Sequence, residues 1–172
     1  MPFTDPPFDP ESAPYSGDER VVISWLLDYH RHVLLRKLDG ITEQQARVTI
    51  ASSDLTLLGL ARHLALVEQY WFIEVFLGLK ETSHWHDPDD RDRDFHPLDG
   101  DTLADALIVL HDEIDRARQI ASTASFDTPA VGQREGQPVN LRWIMAHLVE
   151  EYARHCGHAD LLREAIDGTT GD

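Results

Sequence analysis

The chain has 172 residues, 42% of them hydrophobic, a single cysteine and a formal net charge of -16. That length suits one domain with a proper core rather than two. The charge argues against nucleic acid and anionic membranes as partners, because both are gripped through clustered Lys and Arg. Lys37 and Lys80 are the only lysines. No run of about eighteen apolar residues is present, and the first ten residues lack the basic start and apolar middle of an export signal. Together with the lone Cys156, which has no intrachain disulfide partner, this places the protein in the reducing cytoplasm as an expectation.

Residues 1–17 hold five of the nine prolines and read as an extended arm; residues 18–172 read as the folded domain. A first helix is expected from Asp18, with Val22, Trp25, Leu26, Tyr29 and Val33 at helical spacing and Asp39-Gly40 as its stop. A second begins near Ser52-Ser53-Asp54-Leu55-Thr56, whose short polar side chains can cap a first turn, and runs to about Gly78. It is apolar nearly all round, so it is buried on two sides, either centrally or against another subunit through residues such as Leu66, Ile73 and Leu77. Lys80 to Gly100 is rich in Asp, Arg, His and Pro and reads as a long crossover loop. A third helix starts at Asp101 or Thr102, with Leu103, Leu107, Leu110, Ile114, Ala117 and Ala121 as its inward seam. A second long loop, Ser122 to Pro138, leads to a final helix from Asn140 to Asp167-Gly168. With no strand-like segment recognised, the fold class is all-α: a four-helix bundle with long crossover loops.

The last helix carries the chemistry. At about 100° per residue, His147, Glu151, His155 and His158 fall on one side, between Ile144 and Leu148 at one end and Leu162 and Ile166 at the other. Ionisable groups on a core-facing stripe must be hydrogen-bonded, ion-paired or bound to a metal. Glu151 and His155, four apart, project side by side and suit two ligands of one ion; the competing reading is that they simply bond to each other. A third ligand would decide between them. His63, the one histidine of the second helix, is the best candidate, although an interior histidine satisfied by a neighbour fits the same surroundings.

The remaining polar residues read as structural. His84 and His86 belong to the acidic loop, as does His96, while His30, His32 and His111 fit the bundle edge. Glu81-Thr-Ser-His84 matches Glu-x-x-His once and in a loop, which excludes a di-iron centre. The absence of His-Glu-x-x-His excludes a zincin protease. Glu68 on the second helix is expected to pair with an arginine of a neighbouring helix, and Cys156 to be a packed thiol.

Thr56-Leu-Leu-Gly-Leu-Ala-Arg-His63-Leu-Ala-Leu-Val-Glu-Gln-Tyr-Trp71 and His147-Leu-Val-Glu-Glu-Tyr-Ala-Arg-His155-Cys-Gly-His158, with Asp18-Glu-Arg20 and Leu38-Asp-Gly-Ile-Thr-Glu43, resemble the DinB-like metal-binding bundle superfamily. The branch that includes mycothiol-dependent S-transferases is the most similar. The resemblance implies a bundle, often dimeric, that holds one divalent ion through His63, Glu151 and His155. Zinc is the first choice of ion, with nickel, iron and manganese open. It further implies a low-molecular-weight thiol such as mycothiol as cosubstrate and a small electrophile as its acceptor. A thiol-dependent isomerase or hydrolase, and a noncatalytic metal-binding stress protein, are the rival functions. His158 stands where relatives often carry glutamine, in a supporting or substituting position. Arg154 and Arg163 are candidates for gripping the thiol, against ordinary pairing with nearby acids.

Overall fold

The computed structural model describes residues 8–50 and 53–171. Among them are four long helices and one small hairpin: α1 (Glu19–Leu38), α2 (Leu57–Glu68), α3 (Leu103–Thr123), β1 (Pro129–Arg134), β2 (Gln137–Asn140) and α4 (Leu141–Asp167). Short 3-10 turns lie at Pro10–Ser12 and Gln45–Arg47. No helix among the described residues is long and apolar enough to cross a membrane.

The helix ends follow their local chemistry. Asp18, Thr56, Thr102 and Asn140 each cap a first turn by accepting a backbone N–H. Gly168, at φ 77°, closes α4 in the left-handed conformation that favours glycine. Of the residues expected to cap α2, Ser52 lies outside the described residues, as do positions 1–7 of the arm and Asp172. The described part of the arm packs: the Phe8 ring lies 5.5 Å from Trp25 and 5.4 Å from His32. Those contacts explain the apolar Trp25–Tyr29 stripe on α1, whose fully buried side is instead Leu27, Leu34 and Leu38.

α1 lies chiefly along α4 and α2 along α3, with α2 also meeting α4. Leu64, Phe72, Leu110, Ile114, Ile144 and Leu148 meet in the shared core. α2 continues without a break into a π-helical segment, Gln69–Phe76, closed by the Leu77 N–H donating to the Phe72 carbonyl. Trp71, Phe72, Ile73, Val75 and Phe76 are all buried there.

The hairpin corrects the expectation that no strand occurs. β1 and β2 pair antiparallel, with Arg134 opposite Gln137 and Gln133 opposite Pro138, and an irregularity between Pro129 and Gln133. Glu135 and Gly136 both have positive φ, 51° and 75°, the geometry of a two-residue primed turn. Glu135-Gly136 is a weak form of the usual Asn-Gly signal, and the strands are short, which is why the segment reads as loop. β1 packs on the π segment, and a Cβ on Gly132 would meet the Val75 backbone at 3.1–3.2 Å. The second apolar side of this helix is thus partly covered within the chain. Of the residues expected to meet another subunit, Ile73 is buried, Leu66 half-buried and Leu77 exposed.

The expected Glu68 pair is present. Arg31 on α1 donates through Nε and Nη2 to the two Glu68 oxygens, both at 2.8 Å, and the Tyr152 hydroxyl on α4 donates to Oε1 at 2.8 Å. A further Arg31 nitrogen reaches Asp28 at 2.9 Å. Burial works against the Arg31 charge, yet Glu68, Tyr152 and Asp28 outweigh it and raise its pKa. Burial also raises the Glu68 pKa, against the pull of Arg31. The two-pronged contact at 2.8 Å is that of an ionised pair, and it ties three helices together.

Candidate metal centre

α2 and α4 present His63, Glu151 and His155 to one another. One ligand-capable atom of each lies within 4.8 Å of the other two, and the His63 and His155 rings are 4.7 Å apart at their centroids. His155 is buried, while His63 and Glu151 are half-buried.

The hydrogen bonds of the three residues decide what they can do. His63 Nδ1 lies 2.7 Å from Asp94 Oδ2. An ionised carboxylate only accepts, so Nδ1 donates the proton, and in the neutral ring Nε2 is the nitrogen with the free lone pair. His155 Nε2 and Glu151 Oε2 are 3.6 Å apart, too far for a hydrogen bond. Glu151 Oε2 is buried and accepts no hydrogen bond. The reading in which Glu151 and His155 satisfy each other therefore lacks its bond. On the far side of its ring, His155 Nδ1 lies 3.3 Å from His158 Nδ1. Burial, then the neighbouring His63, His158 and Arg154, push the His155 pKa down to about 3, so the imidazole is neutral at physiological pH.

Two imidazoles and a carboxylate converge here, and the buried Glu151 Oε2 among them accepts no hydrogen bond. Such a set suits a cation, and a nitrogen and oxygen donor mix suits zinc and its neighbours among the divalent metals. The Asp94–His63 bond is the kind of outer contact that fixes the tautomer of a ligand histidine. A second group, His147, Glu150 and Glu151, also has atoms within 4.8 Å. There the two ring nitrogens face different carboxylates, Nδ1 to Glu150 at 3.3 Å and Nε2 to Glu151 at 3.8 Å, and exposed Glu150 is bonded to Arg154. One of its carboxylates, Glu150, is thus exposed and already engaged by an arginine.

Asp94 and Phe95 belong to the loop between α2 and α3 and escape sequence reasoning. Asp94 is one of five aspartates in an eight-residue stretch, Asp87 to Asp94, and no spacing singles it out. Tertiary contacts do. Phe95 stacks on His63 at 4.4 Å. Fully buried Arg62 holds the loop by donating to Asp101 Oδ2 at 2.6 Å and the Arg93 carbonyl at 2.7 Å, with its guanidinium 5.0 Å from the Trp85 ring centre. Gly59 lets the loop approach, since a Cβ there would lie 3.3 Å from the Phe95 backbone. The loop and α2 enclose a cleft of about 510 Å³ with His63 in its wall, a volume usual for small-molecule sites.

Residues 22–168 match a family model described as mycothiol-S-transferase. The chain belongs to that family. Its match covers α1 from Val22 onward, the other three helices and the hairpin, in agreement with the resemblance carried by the second and last helices. Comparison with curated proteins found no match.

Other residues of this family member fall as follows. His84 Nε2 bonds to Glu113 on α3 at 3.0 Å, and His96 to Asp90 at 2.7 Å. Arg163 is buried, donating to the Lys37 and Asp39 carbonyls and to Asp167, while Arg154 pairs with Glu150 on the surface. Both arginines are thus engaged by this chain's own groups. Cys156 is buried, its thiol 3.4 Å from the His30 carbonyl.

Proposed function

We propose that this four-helix bundle is a metal-dependent S-transferase that joins a low-molecular-weight thiol, mycothiol, to a small electrophile. The observation that carries the reading is the convergence of His63, Glu151 and His155 within 4.8 Å beside an open cleft. These three residues would hold one divalent ion, zinc by first choice. When bound, the ion supplies Lewis acidity that lowers a thiol pKa into the physiological range.

The protein's own residues set the conditions. Asp94 holds the His63 tautomer and ring angle, and Phe95 covers one face of that ring. Burial keeps His155 neutral, with a lone pair available at pH 7. Glu151 contributes the negative charge. The Arg62-anchored loop shapes the cleft in which the electrophile is aligned with the sulfur. In the transfer a C–S bond forms, the leaving group departs with its electron pair, and the thiol proton passes to solvent.

A reduced thiol cosubstrate and a buried, unbridged cysteine suit the cytoplasm. A homodimer belongs to the same reading, with Leu77, Leu79 and Val131 as exposed apolar residues near the hairpin; sedimentation of the purified protein tests it. The rival isomerase or hydrolase would use the same ion but yield no thiol conjugate. The noncatalytic rival predicts that chelation unfolds the chain and that no conjugate forms under any condition.

The deciding test is elemental analysis of the purified protein beside His63→Ala and His155→Ala. Near-stoichiometric metal in the parent and loss in both variants is the expected result. Unchanged metal in both variants removes the site.

A further inference from the structure

The cleft beside the candidate centre has a polarity that bears on which electrophile enters it. Leu66 and Val67 of α2 and Tyr70 of the π segment line one side, and Trp85 and Phe95 line the side formed by the crossover loop. The rim is acidic. Glu74, Asp87, Asp90, Asp92 and Asp94 supply five carboxylates, against the two guanidinium groups of Arg91 and Arg93. By formal charge, with histidine counted as neutral, five negative less two positive leave three negative; of the five, Asp94 is bonded to His63 and Asp90 to His96. Arg93 is already occupied, donating to Asp101 at 3.2 Å and to the His96 carbonyl. Among the described residues, neither Glu74 nor Asp92 forms an ion pair, whereas Arg93 pairs with Asp101 and His96 with Asp90. The centre does not offset this excess, because a divalent ion, the Glu151 carboxylate and one thiolate sum to zero. Low-dielectric walls focus such a field within a cleft.

We infer that the electrophile taken by this cleft has an apolar body and carries no negative charge. The inference rests on the thiol-transfer reading for its chemistry, while the charge preference concerns binding and can be measured without transfer. It separates this chain's acceptor from carboxylate-bearing compounds of equal size.

The test uses three benzyl chlorides that differ only at the para position: methyl, trimethylammonio and carboxylate. Each reacts with mycothiol by formation of a benzyl C–S bond and loss of chloride with the bonding pair, the thiol proton going to buffer. Dividing each kcat/KM by the uncatalysed rate with the same thiol removes intrinsic reactivity. The methyl and trimethylammonio probes are expected to exceed the carboxylate probe by at least about tenfold, with the gap narrowing at high salt. Equal or faster turnover of the carboxylate probe overturns the inference and leaves the transferase reading standing.

A binding measurement keeps the two readings distinguishable. The matching benzyl alcohols, which cannot react, are titrated against metal-free protein while following the part of the tryptophan fluorescence that Trp85→Phe removes. The same order of affinity is expected. Glu74→Gln combined with Asp92→Asn is expected to strengthen binding of the carboxylate alcohol severalfold and leave the methyl alcohol unchanged. If that order holds but none of the chlorides is turned over, the transferase reading falls and the charge preference stands. If the carboxylate alcohol binds as tightly as the methyl one, or none of the alcohols binds, the inference falls.

Discussion

Two polar clusters sit between the helices of this protein, and they are built on opposite principles. In the Arg31–Glu68–Tyr152 cluster, both Glu68 oxygens accept hydrogen bonds at 2.8 Å from donors aimed at them. In the His63–Glu151–His155 cluster, lone pairs converge and Glu151 Oε2 is left without a donor. The first is hydrogen-bonded throughout, and the second leaves a buried carboxylate oxygen without a hydrogen bond. A buried polar group that lacks its partner costs free energy unless something outside the chain supplies it. Hydrogen-bond closure therefore separates a cluster that ties helices from one suited to holding a cation, although both contain a Glu on a core-facing helix.

The sharpest way to break this contrast is Arg31→Leu, which strands the Glu68 carboxylate in the core. It should destabilise the fold by about 3–5 kcal/mol, read by urea denaturation, while folded protein keeps its metal. His155→Ala should do the reverse: metal is lost, and the metal-free variant is destabilised by less than about 2 kcal/mol. Equal destabilisation by the two substitutions, both measured without metal, would erase the distinction.

Asp94→Asn sharpens the comparison more finely. It keeps the shape of the side chain but removes the charge that fixes the His63 tautomer. Metal affinity should fall by about 10–100-fold, measured by competition with a chromophoric chelator, with little change in urea midpoint. Tyr152→Phe is the counterpart in the other cluster. Loss of one hydrogen bond to a charged acceptor should cost about 1.5–3 kcal/mol of stability and leave metal affinity unaltered.

Acid gives the most specific signal. Folded His155 remains neutral down to about pH 3, whereas in the unfolded chain it takes up a proton near the ordinary histidine pKa of about 6.5. Between those values the unfolded state binds more protons, so stability rises with pH and falls on acidification. Metal-free protein should lose stability from about pH 6.5 downward, and His155→Gln should flatten that part of the profile. An unchanged slope in the variant would show that His155 is not held neutral by the fold.

Much of this was legible from residue order alone. The caps Asp18, Thr56, Thr102 and Asn140, the glycine after Asp167 and the inward seam of α3 are local or periodic features, and local chemistry sets them. The Glu151–His155 pair was equally legible, because four residues on a helix fix which side chains are neighbours. The hairpin was not, since Glu135-Gly136 is a weak turn signal and β1 is held partly by its packing on the π segment.

The sequence by itself determined the helices, the buried seam of α3 and the candidate ligands, because a helix converts spacing into direction, whereas the fully buried side of α1, Leu27, Leu34 and Leu38, was set by packing. Only the tertiary structure decided that His63 meets the Glu151–His155 pair, that Asp94 rather than a neighbouring aspartate holds His63, and that Phe95 lies over its ring. Those facts depend on how separate helices and a long loop pack against one another. No periodicity along the chain records a distance across it.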